Sequence, residues 1–302
     1  MPVHLSSVSR RTFLTHLGGV GVFGSVIRAA ATHSVDPDRI AILNDTHIGK
    51  NHPSDSPIPT HLRETVAWLV GQERHPAAVI INGDLALNDG QAGDYEHFAK
   101  LIAPLRDADI PVHLTLGNHD NRDVFYKVMK AERPAEPPVV SKHLSVIPLA
   151  KVNLFLLDSL KGTNVAQGLL GNEQLAWLGR MLDRHPEKPA LIFAHHNPRL
   201  AGDEKYFDGG LEDSNPLWDL LETRTQVKAY VHGHIHDRRY YRHRDIHIID
   251  APATSFVLRN AETTTGWTMA QLSDRGGEFT TLTHLKQHAW SGAVRKLMWR
   301  PA

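Results

Sequence analysis

Along the chain, short apolar runs alternate with segments whose apolar residues recur every three or four positions. Arg39 to Leu43 is a run of the first kind, and Pro59 to Val70 follows as a helix with Leu62, Val66 and Leu69 on one face. Ala77 to Ile81 and Val112 to Leu116 are the next strand-like runs, and between them Tyr95, Phe98, Ile102 and Leu105 keep helical spacing. Three prolines mark Arg133 to Pro138 as a loop. Val152 to Leu157 is a fourth run, ahead of a helix that Asn172 could cap and that carries Leu175, Leu178 and Leu182. Ala190 to Ala194 and Val227 to Val231 are two more, and Ile246 to Ile249, Trp267 to Leu272 and Phe279 to Leu282 are later strands with no clear helix between them. Strands alternating with helices predict a layered α/β fold. No internal repeat and no linker divides the body.

Composition narrows the chemistry. Lys plus Arg is 33 and Asp plus Glu is 33, so the formal net charge is zero and no basic excess invites nucleic acid. With no cysteine, disulfides and thiolate metal sites are excluded, and any metal must be held by imidazole, carboxylate, amide or water. Histidine is abundant, at 21 residues, and clusters at a few loops.

Residues 1–31 differ from the rest. Arg10 and Arg11 stand ahead of a glycine-rich, moderately apolar run from Leu17 to Ile27, and Ala29 and Ala31 offer a small-residue cleavage site. The segment from Ser9 to Leu14 resembles a twin-arginine export signal. The apolar run is shorter than the ~20 residues a spanning helix needs, which predicts no stable membrane anchor once the leader is removed. Cleavage after Ala31 removes Arg10, Arg11 and Arg28 and no acid, leaving 30 basic and 33 acidic residues, a net charge of −3. The expected location is periplasmic or secreted.

Polar clusters follow the apolar runs in the body. Asp45 and His47 come after the first, Asp84 after the second, and Asn118, His119 and Asp120 after the third. His195 and His196 follow Ala190 to Ala194, and His234 and His236 follow Val227 to Val231. Ligand sites of α/β sheets gather at the carboxyl ends of strands, so clusters nearly 200 residues apart can meet. Imidazole with carboxylate suits Mn, Fe, Zn or Co. Seven such donors exceed one tetrahedral ion and match two that share a bridging carboxylate, an arrangement that polarises phosphoryl groups and activates water.

Asp-x-His, Gly-Asp, Gly-Asn-His-Asp, a histidine after a lone strand and Gly-His-x-His, in that order, resemble the calcineurin-like metallophosphoesterase superfamily over Arg39 to Ser255. The resemblance implies a layered β-sandwich core flanked by helices, spanning residues 38–285, with 286–302 left as a tail. It implies that Asp45, His47 and His236 hold one divalent ion, that Asn118, His195 and His234 hold the other, and that Asp84 bridges them. His119 would act on the phosphate or the leaving oxygen, with Asp120 orienting it. The residues themselves leave the doublet His195 and His196 open, and the resemblance makes His195 the ligand. GDLALNDG lacks the arginine of the protein phosphatases, and Leu87 stands where purple acid phosphatases carry a metal-binding tyrosine. The chain looks most like the bacterial cyclic-nucleotide and glycerophosphodiester phosphodiesterases, except that Asn197 replaces a proline in the usual His-His-Pro-Pro. The loop from Arg199 to Asn215 is expected to face a small phosphoester substrate. Two functions follow: an exported dinuclear phosphodiesterase, or an exported, non-catalytic metal- or phosphate-binding protein on the same fold.

Overall fold

A computed structural model describes residues 33–200, 208–258 and 262–301. The elements run β1 (Ser34–Asn44), α1 (Pro57–Val70), β2 (Arg74–Asn82), α2 (Ala92–Asp107), β3 (Val112–Thr115), α3 (Arg122–Val128), β4 (Ser145–Pro148), β5 (Asn153–Leu156), α4 (Asn172–Arg184), β6 (Ala190–Phe193), α5 (Ser214–Glu222), β7 (Val227–His232), β8 (Arg239–His243), β9 (Ile246–Asp250), β10 (Gly266–Leu272), β11 (Gly276–Thr283) and β12 (Val294–Met298). They build two six-stranded mixed sheets, ordered β12-β11-β10-β1-β2-β3 and β4-β5-β6-β7-β9-β8. The centre of each sheet is parallel: β1, β2 and β3 in the first, and β5, β6, β7 and β9 in the second.

The burial pattern explains why the runs were unbroken. In β1, Ile40 and Ile42 pack into the layer between the sheets, while Ala41 and Leu43 pack outward among α1, α2 and α3. The second sheet repeats the device: Leu191 and Phe193 face inward, and Ile192 and Ala194 pack outward with Leu178 of α4 and Trp218 of α5. A strand covered on both faces has no polar side, so it reads as continuous apolar sequence. Each such Leu or Ile contributes roughly 1.5–3 kcal/mol on burial.

Differences from the expected elements lie where burial is partial. β1 begins at Ser34, with an exposed polar start paired to Arg74–Pro76 of β2. Asn172 is the first residue of α4 and Gly171 its cap, while the Asp213 carboxylate takes the N–H groups of Leu170 and Gly171. Residues 286–302 are not a free tail, because Val294–Met298 pairs with β11 at the edge of the first sheet. Only Leu297 of that strand is buried, so its sequence carries no alternation to reveal it. α5 occupies the end of the expected Arg199 to Asn215 loop; residues 201–207 of that loop, and the expected leader 1–31, lie outside the described residues.

Candidate metal centre

Every donor cluster sits just past a strand end, and the chain reverses there sharply. Asp45, His47, Asp84, His234 and His236 have φ between 45° and 70°, the left-handed region that non-glycine residues rarely adopt. Such strain persists only where surrounding contacts dictate it. Here the dictating contacts are cross-strand: His47 N–H donates to the Asp84 carbonyl at 2.9 Å, and His119 N–H to Asp84 Oδ1 at 2.8 Å. His234 N–H reaches Asp45 Oδ1 at 3.1 Å, which joins the two sheets. Asn82 and Asn44 add to the join, donating to the carbonyls of Ala194 at 3.1 Å and Ala251 at 2.7 Å. Of the glycines beside the donors, Gly83 turns at φ +77°, whereas Gly117 and Gly233 serve by lacking a side chain, with Asp84 and Asp45 packed against them.

All seven expected donors are buried and converge. Asp84 Oδ2 lies 3.2 Å from His195 Nε2 and 3.5 Å from His47 Nε2. His195 Nε2 is 3.3 Å from Asn118 Oδ1, and His236 Nε2 is 3.5 Å from Asp45 Oδ1. Asp45, His47 and His236 form one cluster of potential ligand atoms within 4.8 Å, and Asp45, Asp84 and His195 form another.

The rings are fixed from behind. Nδ1 of His47 donates to the Leu87 carbonyl at 3.1 Å, Nδ1 of His195 to Asn82 at 3.1 Å, and Nδ1 of His236 to Phe256 at 2.7 Å. A nitrogen bonded to a carbonyl carries the proton, so Nε2 of each ring is the atom turned toward the common centre. His234 is turned the other way, with Nε2 donating to Gly209 at 3.1 Å.

Charge follows from this geometry. Burial pushes the Asp84 carboxyl up, but His195, His47 and His119 outweigh it and hold it well below the usual range. Burial lowers His47 to about 4 and His234 to about 3, so both are neutral imidazoles. Burial also opposes a charge on His195, yet Asp84 and Asp45 raise it to about 9, and Asp45 raises His236 in the same way. Ionised carboxylates, imidazoles locked in one tautomer and a carboxamide oxygen around a common centre fit a borderline divalent cation. The 3.2 Å separation of His47 Nε2 from His236 Nε2 points the same way, since two lone pairs that close need a shared proton or cation between them.

One expected role changes. Asp120 does not reach the His119 ring: its carboxylate accepts N–H groups from Gly117 at 2.9 Å, Leu85 at 3.1 Å and Ala86 at 3.1 Å, and the Tyr95 hydroxyl at 3.1 Å. It braces the loops after β2 and β3. The Asn88 carbonyl orients His119 instead, 2.6 Å from Nδ1, and the ring stands 5.2 Å from that of His47. In the histidine doublet, His195 faces Asp84 and Asn118, while His196 is tied by Nδ1 to Ser159 Oγ at 2.7 Å. His196 nonetheless groups with His195 and His234, and its Nε2 is buried with no partner among the described residues. Phe256, unnoticed in the sequence, lays its ring 4.5 Å from His236 and 4.9 Å from His47. A single phenylalanine in a loop gives no periodic signal.

Comparison with known proteins agrees with this geometry. The chain is 32% identical over 176 residues to the 3',5'-cyclic adenosine monophosphate phosphodiesterase CpdA of Vibrio vulnificus, spanning 58% of this chain and 60% of that protein. It is 28% identical over 222 residues to the glycerophosphodiester phosphodiesterase GpdQ of Enterobacter lignolyticus, spanning 71% and 77%. A dimetal phosphatase from Danio rerio has the same fold, with a TM-score of 0.66 at 15% identity over 88% of this chain and all of that one. Residues 38–238 match the calcineurin-like phosphoesterase model, and the chain belongs to that family.

Proposed function

We propose that the chain is a dinuclear metal-dependent phosphodiesterase. Asp45, His47 and His236 hold one divalent ion, Asn118, His195 and His234 hold the other, and Asp84 is shared. The observation that carries this reading is Asp84 itself, whose single Oδ2 faces His47 at 3.5 Å and His195 at 3.2 Å, one imidazole from each set. Bound ions, Mn, Fe, Zn or Co, supply Lewis acidity toward the phosphoryl oxygens and toward water. The chain's own groups do the rest. His119, half-buried and anchored at Nδ1 by Asn88, is placed to give a proton to the departing alkoxide. Asp120 and Tyr95 hold the turn that carries it. Both curated relatives above are named as phosphodiesterases, which supports diesters over monoesters. The presence of His119 beside the ligands favours catalysis over passive binding.

The test is turnover of bis(p-nitrophenyl) phosphate and of p-nitrophenyl phosphate with added Mn, using Asp84→Ala as the control. Faster cleavage of the diester, lost in the variant, is expected. A metal-loaded protein that cleaves neither ester is a binding protein and the proposal is wrong. Export by the twin-arginine route, to the periplasm or beyond, is proposed from Arg10, Arg11 and the run that follows them.

A further inference from the structure

Next to the metal centre, a cavity of about 660 Å³ opens between α1 and the loops that follow β9 and β11. Phe256 separates the two: its carbonyl holds His236 and its ring lies against both His236 and His47. One wall of the cavity is a flat aromatic stack. His61 and His284 stack at 4.0 Å with an 8° tilt, and Leu285 continues that wall. Burial and the His61 ring push His284 down to about 4, so it adds no charge at neutral pH. Thr60 and Glu64 line the α1 side, and among the described residues no lysine or arginine lines the cavity.

We infer that this cavity receives one ester arm of the substrate and selects an uncharged, flat-faced arm over a small or anionic one. The inference rests on the phosphodiesterase reading above. An arm leaving a phosphorus held beside His47 and His236 passes over Phe256 into the cavity. Aromatic faces reward a planar group through offset or edge contacts. Burying a phenyl ring there should tighten binding at least about tenfold over a methyl group. Glu64 opposes an arm that carries a negative charge.

His61 is tied to the ligand loop, donating to the Ser255 carbonyl at 3.0 Å while Ser255 N–H donates to the Asp45 backbone carbonyl at 3.2 Å. Thr60 is exposed and has no such link, so Thr60→Trp crowds the cavity mouth without disturbing the donors. The experiment is calorimetric binding of methyl, phenyl and 4-carboxyphenyl methylphosphonate to the Mn-loaded full chain. Wild type should bind the phenyl ester at least about tenfold tighter than the methyl ester, and the carboxyphenyl ester should forfeit that gain. Thr60→Trp should abolish the phenyl advantage with methyl affinity and metal content unchanged, and Glu64→Gln should restore the carboxyphenyl ester. A wild type that binds phenyl no better than methyl, or that binds none of the three, overturns the inference, as does a Thr60→Trp that weakens both alike. Turnover of methyl p-nitrophenyl phosphate is measured alongside. Turnover without a phenyl preference removes only the pocket, whereas a phenyl preference without turnover removes only the enzyme.

Discussion

A side chain on Gly117 would place its Cβ 2.2 Å from Oδ1 of Asp84, closer than any real contact allows. Gly117→Ala therefore forces the shared carboxylate to move while adding only a methyl group. The variant is expected to fold but to lose most of its metal. Asp84→Ala should lose both ions, where wild type carries about two per chain. Elemental analysis of the purified proteins checks this, and a folded wild type with one ion or none would contradict the shared carboxylate.

Metal affinity should depend on pH with a definite sign. Asp84 and Asp45 hold the His195 proton to about 9, and Asp45 raises His236. A cation must displace those protons, so affinity falls as pH falls, by about tenfold per unit for each proton released. For the ion at His195 the rise with pH should level off near 9. Calorimetric Mn titrations from pH 6 to 9 measure the slope, and a flat response would show that no proton is displaced.

His119 is assigned to proton transfer and not to coordination. His119→Ala should keep its metal and lose ~100- to 10,000-fold in rate on an alkyl diester, whose leaving alkoxide is strongly basic. An aryl diester, with its better leaving group, should lose less. Loss of metal would make His119 a ligand, and equal slowing on both substrates would assign it to charge stabilisation.

Asp120 serves architecture. Asp120→Ala leaves the N–H groups of Leu85, Ala86 and Gly117 and the Tyr95 hydroxyl without their acceptor. Buried donors left unpaired cost about 1–3 kcal/mol each, not additively. Melting should drop by on the order of 5 °C. An unchanged melting temperature with a strongly reduced rate would return Asp120 to a direct catalytic role.

The leader makes its own prediction. Replacing Arg10 and Arg11 with Lys should leave the precursor in the cytoplasm, detected by fractionation of the expressing cells. Normal export of that variant would remove the twin-arginine reading.

The central strands and the donors behind them were legible because both follow from one pattern. β1, β2, β6 and β7 are buried on both faces, so their apolar runs end abruptly where the ligands begin. Elements at the margins were not legible. β8 and β12 lie at sheet edges, and Tyr240, Arg242 and Lys296 there show neither alternation nor an apolar run. α5 is short and follows a polar loop. Asp120 was given to His119 by the resemblance alone, and its carboxylate instead takes the N–H groups of Leu85, Ala86 and Gly117. Phe256 and the stacked His61 and His284 belong to loops and a helix far apart in the chain, and only the fold places them together.

The donors are divided between the sheets: Asp45, His47, Asp84 and Asn118 follow strands of the first, and His195, His234 and His236 follow strands of the second. In the proposed assignment each ion takes ligands from both, so the metal centre is a clasp across one end of the sandwich as well as a reaction site. Prising the sheets apart at that end would then require releasing the ions. The clasp makes resistance to unfolding a function of free metal concentration, growing as RT ln(1 + [M]/Kd). A cell compartment poor in these metals would hold a protein that is both idle and easier to degrade.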